Sequence, residues 1–286
     1  MGYEMIKVKK SVFMHTQKTA GTSITTLARS LYGDENVISH GDYLGGAPDQ
    51  FYGIGFISGH FGYSYAERWM RERYAFTFLR DPVERLLSLY SFCRAQQADS
   101  YPIYAAARNS SLESFLTAWR QLSGVDRLVF RESIQNHQTW QLCSGWSENA
   151  LQLDRISMFD FSEKELVDTA VAHLREFDYV GFTETFDADV ANIMEALGTP
   201  LTEPLGKINV SKNRIHLADL PASTCALLEE LTELDREVYE KAKSERLWGS
   251  PPAGDQQSGR FADGAQVDPG SIPEQPVRIA RGSAFR

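Results

Sequence analysis

One stretch constrains the fold of this chain more than any other: Val12 to Gly33, VFMHTQKTAGTSITTLARSLYG. Its apolar start, SVFMH, reads as a buried strand, and Ile24, Leu27 and Leu31 recur at the helical spacing of three and four. Strand, tight loop and helix in that order set a helix N-terminus at the end of a sheet strand, where free amides and the helix dipole favour an anion. Gly21 permits backbone conformations that a side chain forbids, and Thr22 or Ser23 is expected to cap the helix while leaving its first amides free. Lys18 adds a point charge with three donors, and Thr19, Thr22 and Ser23 add neutral donors. A Walker A loop needs glycine, four residues, then Gly-Lys-Ser/Thr; here the lysine precedes the glycine by three positions and no glycine stands upstream where that pattern requires one.

A second corner, YAFTFLRDPVERLLSLYSFCR, repeats the design with other parts. Arg80 ends a buried strand, Asp81 suits an N-cap, Pro82 suits the first turn, and Leu86, Leu87 and Tyr90 mark a buried helix face. Ser88 follows Arg80 by eight residues, about two helical turns, and so reaches the same side. Alone, the segment fits equally an Arg80 paired with Asp81 or Glu84 and a Ser88 that only packs. Two such corners on one sheet edge suit a ligand with two separated anionic groups.

The order of elements supports that edge. YAFTFLR and FDYVGFTE read as strands, whereas DPVERLLSLYSFCRAQ, LESFLTAWRQL, EKELVDTAVAHLREF, DADVANIMEALG and Pro221 to Leu247 read as helices. The alternation predicts an α/β fold with a parallel sheet flanked by helices, its ligands beyond the carboxyl ends of the strands. The 286 residues are read as one domain over 1–248 and a disordered tail, Gly249 to Arg286, rich in Pro, Gly, Gln and Ser. A net charge of −9 disfavours nucleic acid as a partner. Cys93, Cys143 and Cys225 lack metal-ligand spacing, and no run is long enough for a signal peptide or a membrane span, so a cytoplasmic location is expected. In the final helix the stripe Leu227, Leu228, Leu231, Leu234 and Val238 is a packing face first and a homodimer contact second.

HTQKTAGTS resembles the phosphosulfate-binding loop of sulfotransferases that use 3′-phosphoadenosine 5′-phosphosulfate (PAPS), and FTFLRDPVERLLSLY resembles their ribose-phosphate motif. The pair is similar to the carbohydrate sulfotransferase branch that holds the heparan and chondroitin enzymes and many bacterial relatives. NHQTWQLCSG, DYVGFTETFDADVANIMEALG and INVSKNR resemble later segments of bacterial members. The resemblance implies a P-loop-NTPase-like sheet with Lys18, Thr19, Ala20, Gly21, Thr22 and Ser23 around the phosphosulfate, and Arg80 and Ser88 on the ribose phosphate. In INVSKNR, Asn209 and Ser211 are candidate donors to the phosphate or the base of the same co-substrate. Gln17 stands where the family usually has proline and Ala20 where it has the first of two glycines, so a reshaped loop is expected.

Sulfuryl transfer needs in-line attack by a hydroxyl and a stabilised phosphate leaving group, with no metal required; Lys18 is placed to neutralise charge at the bridging oxygen. The attacking hydroxyl needs a base. His60, in GFISGHFGYSY, matches the family's Gly-His segment and is the choice, with Gly59 and Gly62 expected to leave room for substrate. His40 with Asp42 is the fallback, His15 orients the loop, His137 touches substrate or is buried, and His173 and His216 read as surface or capping residues. The acceptor is expected to be a carbohydrate or a glycosylated small molecule, with DYLGGAPDQFYG and CRAQQADSYPIYAAARNSSLESF reading equally as sugar-facing or ordinary surface loops. Two rivals stand beside this: an ATP-dependent small-molecule kinase, which lacks its Walker lysine here, and a non-catalytic nucleotide-binding relative.

Overall fold

The structure is a computed structural model that describes residues 8–96, 101–108, 110–145, 156–205 and 215–245. Asn209, Ser211 and the tail from Gly249 lie outside the described residues. In chain order the main elements are β1 (Ser11–Met14), α1 (Gly21–Tyr32), β2 (Val37–Ile38), β3 (Phe56–Gly59), α2 (Tyr63–Met70), β4 (Tyr74–Leu79), α3 (Pro82–Ala95), α4 (Pro102–Arg108), α5 (Leu112–Thr117) and α6 (Gly124–Ile134). They continue with α7 (His137–Cys143), α8 (Glu163–Leu174), β5 (Tyr179–Phe182), α9 (Phe186–Ala196), α10 (Ala222–Leu231) and α11 (Glu233–Glu245).

The strands form one all-parallel sheet in the order β2-β3-β1-β4-β5. This is the α/β, P-loop-NTPase-like sheet flanked by helices that the sequence predicts. Side chains alternate across it as strand geometry requires. Val12, Met14, Ile57, Ala75, Leu79 and Val180 pack under α2, α7, α8 and α11, while Phe13, Phe56, Phe76, Phe78 and Tyr179 pack under α1 and α9. A third apolar cluster joins α3, α4, α5, α6 and α10. From β1 the chain runs through α1 to β2 on one side, and from β3 it crosses through α2 to β4 on the other. The carboxyl ends of β3, β1 and β4 therefore meet at the point where the winding reverses, the crevice in which such sheets bind ligands. No helix among the described residues is long and apolar enough to cross a membrane.

Local chemistry sets several boundaries. Asp81 caps α3 by accepting from the Glu84 amide at 2.9 Å, with Pro82 in the first turn, as predicted. Ser162 and Glu165 form a capping box at the start of α8.

The single helix expected from Pro221 to Leu247 is instead two helices that break at Thr232. The cause is Asn136, whose backbone amide donates to the Leu231 carbonyl at 2.8 Å while its Oδ1 accepts from the amides of Leu234 and Asp235 at 3.0 and 3.3 Å. Asn136 thereby ends one helix and starts the next. The favour is returned: Asp235, 1% exposed, accepts from the Gln138 and Thr139 amides at 3.2 and 2.7 Å and so caps α7. The apolar stripe of these two helices packs inward, with Leu228, Leu231, Leu234 and Val238 all buried. The segment CRAQQADSYPIYAAARNSSLESF is not a loop throughout; its described part carries the end of α3, α4 and the start of α5.

Candidate active site

The first corner is built on a strained turn. After β1, the amide and hydroxyl of Thr19 both donate to the Thr16 carbonyl, at 3.3 and 2.7 Å. This turns the Thr19 side chain, fully buried, into the loop rather than outward. Lys18 and Ala20 on either side of it have φ of 72° and 67°. Ala20 thus holds the left-handed conformation that glycine adopts freely, at a cost of about 1–2 kcal/mol for a residue with a Cβ. The glycine-to-alanine departure seen in the sequence keeps the turn and strains it.

Helix α1 starts at Gly21, and its N-cap is Ala20, which has no side-chain oxygen to give. Thr22 and Ser23 lie inside the first turn and do not cap it, contrary to expectation, because the turn at Ala20 begins the helix earlier than a hydroxyl cap requires. The first amides keep their polarity toward the crevice. Gly21 is required here by close approach: a Cβ would lie 1.9 Å from the His15 ring. That ring is buried, stacks on Phe13 at 5.2 Å and packs against the start of α1.

The second corner reaches the first. At the end of β4, the Arg80 guanidinium donates to the Lys18 carbonyl at 3.2 Å and sits 3.5 Å from the Glu84 carboxylate. The pairing of Arg80 with Glu84 that the segment alone allows is therefore present. The Lys18 ammonium lies 4.1 Å over the ring of Phe92 on α3, one turn beyond the half-buried Ser88. Burial pushes Lys18 down to about 8, with Arg80 and Arg85 adding to the effect. The bond from Arg80 to the Lys18 carbonyl thus links the two corners directly.

His60 follows β3. Its Nδ1 donates to the His15 carbonyl at 3.1 Å, which leaves the lone pair on Nε2. Its ring is 4.5 Å from His15 and 5.8 Å from His40. Burial pushes His60 down to about 4 against the opposing bond to His15, and the neighbouring charges of His40 and Lys18 push the same way. The imidazole is neutral at pH 7. His40 is exposed, with φ of 55°, and its Nδ1 lies 3.1 Å from Ser39 Oγ. The Asp42 carboxylate accepts from the Ser39 amide at 3.0 Å.

Gly59 and Gly62 do not make room for substrate. A Cβ on Gly62 would lie 1.8 Å from the Ser144 carbonyl, and one on Gly59 2.7 Å from Phe61 and 2.9 Å from the His40 carbonyl, so the protein's own atoms fill both spaces. His137 is buried and donates through Nδ1 to the Glu132 carbonyl at 2.9 Å. His173 is not a surface residue: it stacks on Tyr63 at 3.6 Å and donates to the Leu142 carbonyl at 2.8 Å, tying α8 to α2 and α7.

Two residues that site reasoning passed over hold the corners together from α7. Gln138 accepts from the Arg80 amide at 3.0 Å and donates to the Arg80 carbonyl at 2.9 Å. Gln141 donates to the carbonyls of His15 and Phe61 at 3.1 and 2.8 Å. The ends of β1, β3 and β4 are thereby fixed to one buried helix. The signal in NHQTWQLC was two amides three apart on an otherwise buried helix, since buried amides need partners.

Residues 2–242 match the profile of the sulfotransferase family, a span that takes in the five strands of the described residues and both strand-to-helix corners. The chain belongs to that family. Comparison with curated proteins finds no match. Membership makes the chain a transferase of sulfuryl groups, and the matched span includes α7 and most of α11 along with the sheet.

Proposed function

We propose that this member transfers the sulfuryl group of PAPS to a hydroxyl of a carbohydrate or glycosylated small molecule by in-line displacement, with His60 as base. The observation that carries the reading is the bond from Arg80 to the Lys18 carbonyl, which joins two cationic strand-to-helix corners into one crevice. The residues fit such a co-substrate: a helix start with no side-chain cap and two cations suit a molecule with two anionic groups.

In this reading the amides of Gly21 and Thr22 and the hydroxyls of Thr22 and Ser23 surround the phosphosulfate, with Thr19 and Ala20 shaping the turn, and Arg80 and Ser88 hold the ribose phosphate. Asn209 and Ser211 remain candidates for the same ligand. PAPS supplies an activated sulfuryl group on a phosphate that departs as transfer occurs. Lys18 offsets the charge that grows on that phosphate. His60 takes the acceptor proton at Nε2, since Nδ1 is held by His15. Anionic charge beside Lys18 and Arg80 draws the His60 pKa back up from about 4, toward the range in which a general base works.

Isothermal titration with phosphoadenosine phosphate, the desulfated product, tests the donor. Magnesium-independent binding by the wild type, weakened by about tenfold or more in Arg80→Ala, is expected for the loss of a charged hydrogen-bonding partner. Absence of that binding together with tight ATP binding overturns the assignment and restores the kinase.

A further inference from the structure

Three arginines crowd one indole ring on the helical side of the molecule. Trp119 lies in the turn Ala118–Gln121, and the guanidinium carbons of Arg120, Arg127 and Arg131 are 5.5, 5.3 and 4.5 Å from its ring centre. Arg131 also lies 3.7 Å over Phe159, a ring that is 37% exposed. Arg127 and Arg131 are four apart on α6 and so share a face, an arrangement in which like charges repel.

Ordinary surface chemistry would place a carboxylate among them. Among the described residues none lies within ion-pair reach of any of the three. Glu230 acts on Arg131 only from beyond that reach, and burial together with Arg127 and Arg120 outweighs it, so the guanidinium is pushed below its usual range. Arg131 Nε is fixed by Gln135 Oε1 at 2.7 Å, which leaves the terminal nitrogens as a forked donor. The cluster is not the by-product of a basic surface, because the chain carries a net charge of −9.

We propose that Arg120, Arg127 and Arg131, with Trp119 and Phe159, form an oxyanion-binding site separate from the PAPS corner, for a sulfate or carboxylate carried beside an apolar ring face. Guanidinium forks match the two oxygens of such a group, and stacking on the indole holds them in place before the ligand arrives. The partly exposed ring of Phe159 gives a uronic acid or sulfated sugar an apolar surface to pack beside. Nucleic acid fits poorly, since three arginines on an acidic chain supply little of the extended positive field it requires. The site involves none of the residues assigned to the donor, so its test is independent of that assignment.

Titration at low salt with sodium sulfate, glucuronate, polygalacturonate and neutral dextran, on wild type, Arg80→Ala and Arg127→Ala/Arg131→Ala, decides the matter. Binding of the carboxylates or sulfate by wild type and Arg80→Ala, weakened about tenfold in the double variant, is expected. Dextran should not bind. Equal affinity for sulfate and polygalacturonate identifies the free ion as the ligand; a strong preference for polygalacturonate identifies a chain-borne group. Should the double variant fail to fold, Arg127→Glu, at an exposed position, serves in its place. Unchanged binding in the folded variants, or no anion binding by wild type, overturns the proposal.

Discussion

Asp235 offers the sharpest test of how this molecule is held together. Its carboxylate accepts from two α7 amides and from Thr139 Oγ1 at 2.8 Å, and it faces the charge of Arg85, which is 0% exposed. Arg85 donates to the Ser133 carbonyl at 3.0 Å, while its Nε and the other terminal nitrogen have no hydrogen-bond partner among the described residues. Burial pushes the Asp235 carboxyl up, against the pull of Arg85 and of those donors. Asp235→Ala removes a helix cap, which alone costs about 1 kcal/mol, and leaves three buried donors, the Gln138 and Thr139 amides and Thr139 Oγ1, without their acceptor, at about 1–3 kcal/mol each. The two losses overlap, so about 3–5 kcal/mol is expected in all. For a urea slope of about 2 kcal/mol per M the midpoint falls by roughly 2 M at unchanged slope. Asp235→Asn, which keeps one acceptor, loses about half as much, or roughly 2 kcal/mol. A loss below about 1 kcal/mol for Asp235→Ala, the range of an ordinary surface change, refutes the argument.

Other outcomes follow from the site. Ala20→Gly relieves the left-handed turn at φ 67° and raises stability by about 1 kcal/mol, read from the unfolding midpoint. Gly21→Ala drives a methyl into the His15 ring, so destabilisation of about 1–3 kcal/mol and weakened phosphoadenosine phosphate binding are expected together. His60→Ala lowers turnover by about 10²–10⁴ while product affinity, measured by titration, stays near wild type. His60 drops from its ordinary 6.5 to about 4, and His15 and His137 shift the same way, burial being the first cause in each. The unfolded chain therefore binds more protons between those values, and stability, full above about 6.5, is lost as pH falls toward 4; His60 alone accounts for about 3 kcal/mol. A urea midpoint that is flat from pH 7 to 4.5 contradicts this.

The parts of the fold that sequence reveals are those whose causes are adjacent in the chain. Asp81 and Pro82 mark α3 because cap and first turn are neighbours, and the apolar run of SVFMH marks β1 in the same way. The break at Thr232 is invisible because Leu227, Leu228, Leu231, Leu234 and Val238 keep the helical period straight through it, while its cause, Asn136, lies 98 positions from Leu234. The hydroxyl-cap rule misplaces the start of α1 because a left-handed alanine, which no local preference favours, opens the helix. At the site, each cationic corner is legible as strand, turn and helix, yet the contact between them spans 62 positions and needs the sheet order to exist. Glycines 59 and 62 read as space for a ligand because sequence shows the missing side chain but not the carbonyl that occupies its place.

The exchange of caps between Asn136 and Asp235 also fixes what can come apart. Neither α7 nor α11 has a satisfied start without the other, so the amides at both helix beginnings should exchange with solvent as one cooperative unit rather than fray separately. Because α7 grips the backbone of Arg80 and His15, a chain shortened before Glu233 loses more than a surface helix. It loses the helix that anchors the ends of β1 and β4, and α11 behaves as a tether on those strand ends.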